Sequence, residues 1–146
     1  MKSKIEKLFL IKLPLTVKTY DIDFAGIVSN IVYVRWLEDL RFEMLSRYFP
    51  IEDLLEDGFV PVLTSTSIQY IRPIRMQEKV MAKIWMSSLE ASKCTLRAEF
   101  LVGGKLAASA EQVGLFVSRE TGRPRRMPVE IVKKYEAIKK GEEFLT

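Results

Sequence analysis

A chain of 146 residues, 48% hydrophobic and 29% charged, suits one domain of ordinary size, residues 1–146, with a proper core, and is too apolar to be disordered. Its net charge of +4 is spread along the chain and forms no basic stripe with interleaved aromatics, so it fits a phosphate-bearing small molecule better than a nucleic acid. With no histidine and a single cysteine, Cys94, the composition removes Ser-His-Asp and Cys-His catalysis, histidine-held zinc, cysteine-cluster metal sites and an internal disulfide; acid–base chemistry falls to carboxylates, lysine or tyrosine.

At the N-terminus, lysines precede an apolar patch that Lys12 and Pro14 interrupt before it reaches signal-peptide length. No apolar run approaches the ~18 residues that cross a bilayer, so the expectation is a cytoplasmic protein without a membrane partner. Residues 8–20 set Leu13, Leu15, Val17 and Thr19 against Lys12, Thr16 and Lys18, the period of a half-buried strand, with Pro14 pointing to an edge.

From Tyr20 the chain enters an acidic turn, Asp21-Ile22-Asp23-Phe24-Ala25-Gly26, in which Gly26 permits a left-handed backbone. Ser29 or Asn30 then caps a long helix ending at Tyr48 and Pro50. Tyr33, Val34, Leu37, Leu40, Met44, Leu45 and Tyr48 form its apolar stripe, against Arg35, Asp39, Glu43 and Ser46 opposite. Arg41 lies within that stripe, three residues after Glu38, which predicts an ion pair between them. A helix start carries roughly +0.5 of an elementary charge and unpaired N–H groups, a fitting place for an oxygen that becomes negative. A carboxylate beside it makes a plausible hydrolytic pair; turn and capping service is the plainer role for Asp21 and Asp23.

Ile51–Asp57 reads as a short helix or turn closed by Gly58, and from Phe59 the period becomes two. Val62, Thr64, Thr66, Ile68 and Tyr70 line one face of a second strand that Pro73 stops. Residues 79–89, 93–102 and 105–118 give three more in a meander, with Gly103-Gly104 as a hairpin turn. Pro128–Lys140 fits a short helix. The fold class is therefore α+β: a five-stranded antiparallel sheet wrapped around one long helix, with a small C-terminal helix. Open sheet edges in such a fold favour pairing with a second copy.

The run Asp23-Phe24-Ala25-Gly26-Ile27-Val28, followed by Asn30, Tyr33, Arg35, Trp36, Glu38 and Arg41, resembles the signature of the 4-hydroxybenzoyl-CoA thioesterase-like family of hotdog folds. Tyr70-Ile71-Arg72-Pro73 and Gly122-Arg123-Pro124 with Met127-Pro128 resemble its later motifs. The resemblance implies an acyl-CoA thioesterase that works as a homodimer or homotetramer with sites at the subunit interface. It needs no cofactor, coenzyme A being part of the substrate.

The resemblance further implies Asp23 as the catalytic carboxylate, nucleophile or general base, with Glu38 a distant second. It makes the backbone N–H at Asn30 the oxyanion donor and brings the Gly26-Ile27 turn close to the substrate. Some relatives carry a histidine near Ser29, which this chain lacks. Arg72, Arg75, Arg123, Arg125 and Arg126 are candidates for the coenzyme A phosphates. The last three stand in a Gly/Pro turn with no helix or strand partner to serve. The alternatives are a module that binds acyl-CoA or acyl-carrier protein without hydrolysis and, less easily without histidine, a hydratase.

Overall fold

The computed structural model describes residues 7–141. Strand β1 (Leu8–Thr16) and a 3-10 turn (Thr19–Asp21) lead into helix α1 (Asn30–Tyr48) and a short α2 (Ile51–Glu56). Strands β2 (Phe59–Tyr70), β3 (Lys79–Leu89), β4 (Cys94–Val102) and β5 (Lys105–Ser118) follow, then a two-residue β6 (Pro124–Arg125) and helix α3 (Val129–Lys139). The segment read for a leader lies partly outside the described residues, within which no helix is long and apolar enough to cross a membrane.

β1 stops at Thr16, short of the expected Tyr20, because the chain curls on itself there. Asp21 Oδ2 accepts the Lys18 N–H at 2.8 Å while the Asp21 N–H returns to the Lys18 carbonyl at 2.9 Å. The sheet is antiparallel in the order β1-β3-β4-β5-β2, and β6 adds to β5. Pro14 does sit on an edge strand, and Gly103 and Gly104 turn the β4–β5 hairpin with φ of 59° and 79°.

Register builds the core in rows. Leu13, Ala82, Phe100, Ala108 and Tyr70 lie opposite one another across the sheet, and so, two residues further on, do Ile11, Ile84, Ala98, Ala110 and Ile68. The alanines keep this face of the sheet low beneath α1, and Phe100 rises from it to meet the Tyr33 and Trp36 rings at 5.4 and 5.8 Å. Against these rows the helix buries Val32, Tyr33, Trp36, Leu37, Leu40 and Met44. Leu37 and Leu40 are sealed completely, so cutting either to Ala costs about 2–5 kcal/mol. Val34, expected inside, is 47% exposed: it lies about 100° round the helix from Tyr33, beyond the sheet's reach.

A bulge in β2 between Leu63 and Ser65 shifts its phase. Leu63 stands opposite Gly114 and Thr66 opposite Gln112, two positions of one β5 face, so Leu63, not Val62, shares the inner face with Thr66, Ile68 and Tyr70. The following inner row is thus Leu8, Met86, Leu96, Gln112 and Thr66, which places an amide in the core.

Candidate active site

The acidic turn is a small closed loop. The Asp23 N–H donates to the Ile27 carbonyl at 2.9 Å and the Gly26 N–H to the Asp23 carbonyl at 3.0 Å, with Gly26 at φ +79°. A β-carbon on Gly26 would meet nothing within 4 Å, so glycine is required by the backbone alone. Ile27 bridges to Arg75 and the Val28 N–H donates to the Ile74 carbonyl at 2.8 Å, which fastens the turn to the segment after β2.

Its two acids divide their work. Asp21 is buried and tied to the Lys18 N–H, a structural bond as expected. Asp23 is half-buried and its Oδ1 accepts the Ala25 N–H at 2.8 Å and, at 3.4 Å, the Ile27 N–H. No hydrogen bond within the described residues occupies Asp23 Oδ2. The carboxylate is therefore oriented through one oxygen and open through the other.

The Ser29 N–H donates to the Asp21 carbonyl at 2.9 Å, joining this turn directly to α1. Ser29 is the residue before the helix, yet its side chain caps nothing, and Asn30, expected as an alternative cap, is already the first helical residue. Within the described residues no acceptor meets the N–H groups of Asn30 and Ile31. The helix start is thus a pair of unused donors with the favourable end of the helix dipole behind them.

One turn on, Tyr33 packs edge-on against Tyr70 and Phe100. Burial, with the Tyr70 phenol adding to it, pushes Tyr33 up to about 12, so its hydroxyl stays protonated at neutral pH. Sequence spacing gave Tyr33 only a packing role; its contact with the end of β2 depends on sheet order.

The expected Glu38–Arg41 ion pair does not form. Glu38 stays exposed, and Arg41 instead donates to Gln112 Oε1 at 3.0 Å, whose Nε2 donates to Thr66 Oγ1 at 3.0 Å. Gln112 is 1% exposed, and an amide so deep needs both bonds, a stronger demand than a surface pair makes. Burial holds Arg41 below the usual guanidinium range, with Glu38 pulling the other way.

The arginines fall into two groups. Arg72 and Arg75 are exposed on the segment beside the Asp23 turn, the Arg72 N–H bonding to the Ala107 carbonyl and the Arg75 N–H to Glu78 Oε1. Arg123, Arg125 and Arg126 lie at the opposite end of β2, since Arg125 faces Phe116, which faces Pro61. Nine residue steps of strand separate Pro61 from Tyr70, about 30 Å.

Nor is Arg125 without a partner. Its guanidinium lies 3.8 Å over the Phe59 ring and donates to the Asp57 carbonyl at 3.2 Å. It forms part of β6, a strand too short for sequence periodicity to reveal. The groove beside it also holds Lys134 but four carboxylates, Asp53, Glu56, Asp57 and Glu130. Among the described residues, no group of three His, Cys, Asp or Glu could hold a metal ion.

An antiparallel sheet wrapped around one long helix, with an acidic turn docked on the helix start, is the hotdog architecture. The chain belongs to the thioesterase-like superfamily, matched over residues 17–135. It is similar to a DHNA-CoA thioesterase from Staphylococcus aureus at 19% identity and TM-score 0.80, covering 92% of this chain and 97% of that one. A thioesterase from Thermus thermophilus, complexed with coenzyme A and zinc, is 24% identical with TM-score 0.78 over 95% and 99% of the two chains. A gentisyl-coenzyme A thioesterase is 20% identical with TM-score 0.75 over 84% and 99%.

Proposed function

We propose that this protein hydrolyses an acyl-coenzyme A thioester to the free acid and coenzyme A. The observation that carries the reading is Asp23, held through Oδ1 by backbone N–H groups with Oδ2 open, next to a helix start whose donors are unused. Family membership and the named substrates of the similar thioesterases support a coenzyme A ester.

In the general-base route, Asp23 takes a proton from water as the water oxygen bonds to the thioester carbon. The carbonyl pair moves onto oxygen, where the Asn30 and Ile31 N–H groups receive it. Collapse expels the coenzyme A sulfur, which recovers the proton. In the nucleophilic route Asp23 bonds to the carbon itself and expels the coenzyme A thiolate; water then cleaves the acyl-aspartyl anhydride, releasing the acid and returning the Asp23 carboxylate while the thiolate takes up the water proton. Both routes need the same donors, each worth ~10²–10³ in rate.

The working unit we propose is a two-fold oligomer joined through β2. This edge strand has no neighbour on its outer side among the described residues, and Leu63 to Ser67 are exposed. Antiparallel pairing centred near mid-strand sets the Phe59 end of one protomer beside the Tyr70 end of its partner. The Arg123–Arg126 turn then approaches the partner's Asp23, across a gap it cannot span within one chain.

The test is release of free thiol from a panel of alkyl and aryl coenzyme A esters. Turnover of at least one is expected. Binding of these esters with no turnover would leave the non-catalytic acyl-CoA module as the function.

A further inference from the structure

A cavity of about 250 Å³ lies beyond Arg41, between the second half of α1 and strands β2 to β5. Its origin is in the sheet register. The row after Gln112 runs Leu89, Cys94, Gly114 and Leu63, and with no side chain at Gly114 the sheet leaves a hollow beneath Met44 and Phe49. A β-carbon at Gly114 would stand 3.3 Å from the Val62 carbonyl, so the position does not readily accept one.

The walls are apolar, with Met44, Phe49, Met86, Leu96 and Ile131 among them, and Glu38 and Arg41 are the charged residues at the boundary. Glu38 is exposed and outside ion-pair distance of the guanidinium. Arg41 makes one hydrogen bond, to the Oε1 of a glutamine itself held by Thr66, and no carboxylate among the described residues meets its other donors. A pre-oriented cation in the wall of a mostly apolar hollow matches a ligand with one anionic end.

We infer that this cavity binds a carboxylic acid with an apolar body, its carboxylate on Arg41 and its tail beneath α1. A cavity of about 150 Å³ admits benzene, so this volume holds a body of about eight carbons. The planar fork of the guanidinium favours a carboxylate over a hydroxyl by charge and by paired donors. Arg41 is eleven residues along α1 from Asn30, about 16 Å. Within one chain the cavity is therefore separate from the Asp23 turn, and the inference does not rest on the proposed hydrolysis.

Calorimetry on the full chain with octanoate and 1-octanol tests it. Octanoate is expected to bind about tenfold or more tighter than 1-octanol, a charge-assisted pair being worth at least that factor. Arg41→Met should erase the preference, and Asp23→Asn should keep it. Leu96→Trp, which fills the hollow but leaves Arg41 in place, should abolish binding of both; folding of each variant is checked by circular dichroism. Equal affinity for acid and alcohol, no binding of either by the wild type, or a preference that survives Arg41→Met overturns the assignment. So does loss of octanoate binding in Asp23→Asn, which would place the acid at the hydrolytic turn.

Discussion

Tyr33 meets Tyr70 edge to face, ring centroids 5.1 Å apart at 75°, and through that contact the first turn of α1 is seated on the last residue of β2. The Asp23 turn hangs on the same junction, because the Val28 N–H bonds to Ile74 just past β2. The geometry of the acid is therefore tied to the integrity of the sheet edge.

Alkaline pH should loosen this core in two stages. Burial raises Cys94 from its ordinary 9.0 to about 11, a backbone bond from Gly114 opposing it, and raises Tyr33 from 10.0 to about 12. Each group holds its proton more tightly when folded, so its contribution is intact below the unfolded value and lost as pH rises through the folded one. Denaturant titrations should show stability flat to about pH 9 and falling above it. Cys94→Ala should remove the earlier part of the fall and Tyr33→Phe the later. Unchanged slopes in both variants would contradict the assignment.

The two aspartates should separate cleanly on mutation. Asp23→Asn is expected to keep the melting temperature within a few degrees while hydrolysis falls by about 10² or more. Asp21→Ala removes the acceptor of a part-buried bond from the Lys18 N–H and should cost about 0.5–1.5 kcal/mol of stability. Hydrolysis by Asp23→Asn within about threefold of wild type would remove Asp23 from the chemistry.

Charge placed on the free edge should undo the assembly. Ser65→Arg with Ser67→Arg sets like charges along β2, where two-fold pairing would bring them together. Sedimentation at micromolar concentration should find an oligomer for the wild type and monomer for the double variant, with activity lost alongside. A wild-type monomer of 16.9 kDa with full activity would refute a site shared between protomers.

Nucleotide recognition should appear in KM alone. Arg72→Ala, Arg123→Ala and Arg126→Ala are each expected to raise KM for acyl-CoA about three- to tenfold with kcat unchanged, less so at high salt and not at all for acyl-pantetheine. Arg125→Ala should also lower the melting temperature, because it removes the stack on Phe59 and the bond to Asp57. Equal losses on both substrates would assign these arginines to folding or assembly.

Much of this could be read in the residues. The long helix, the alternating strands and the Gly103-Gly104 hairpin announce themselves because each depends on local spacing or local φ. The place of Asp23 beside α1 followed from a turn motif running into a helical period; that one of its oxygens is open did not. Partners across the fold were less accessible. By spacing, Glu38 at i−3 was Arg41's natural companion; strand alternation already puts Gln112 on one β5 face with Ala108 and Ala110, and only the sheet shows that this face meets Arg41. That phase was a usable signal: a polar residue at a core position of β5 facing a cation at a core position of α1. Likewise a two-residue strand carries no period, so nothing in Pro124-Arg125 foretold the seat of Arg125 on Phe59.

The bare first turn of α1 implies a trade between durability and speed. Ser29 sits where a capping side chain would secure the helix, and its hydroxyl makes no such bond. Ser29→Asp would supply a strong acceptor for those N–H groups, gaining roughly 0.5–1 kcal/mol in fold stability. In the proposed hydrolysis the same carboxylate would sit where the oxyanion forms and repel it. On the proposed reaction, selection for heat resistance alone would thus push this position toward a sturdier and slower protein.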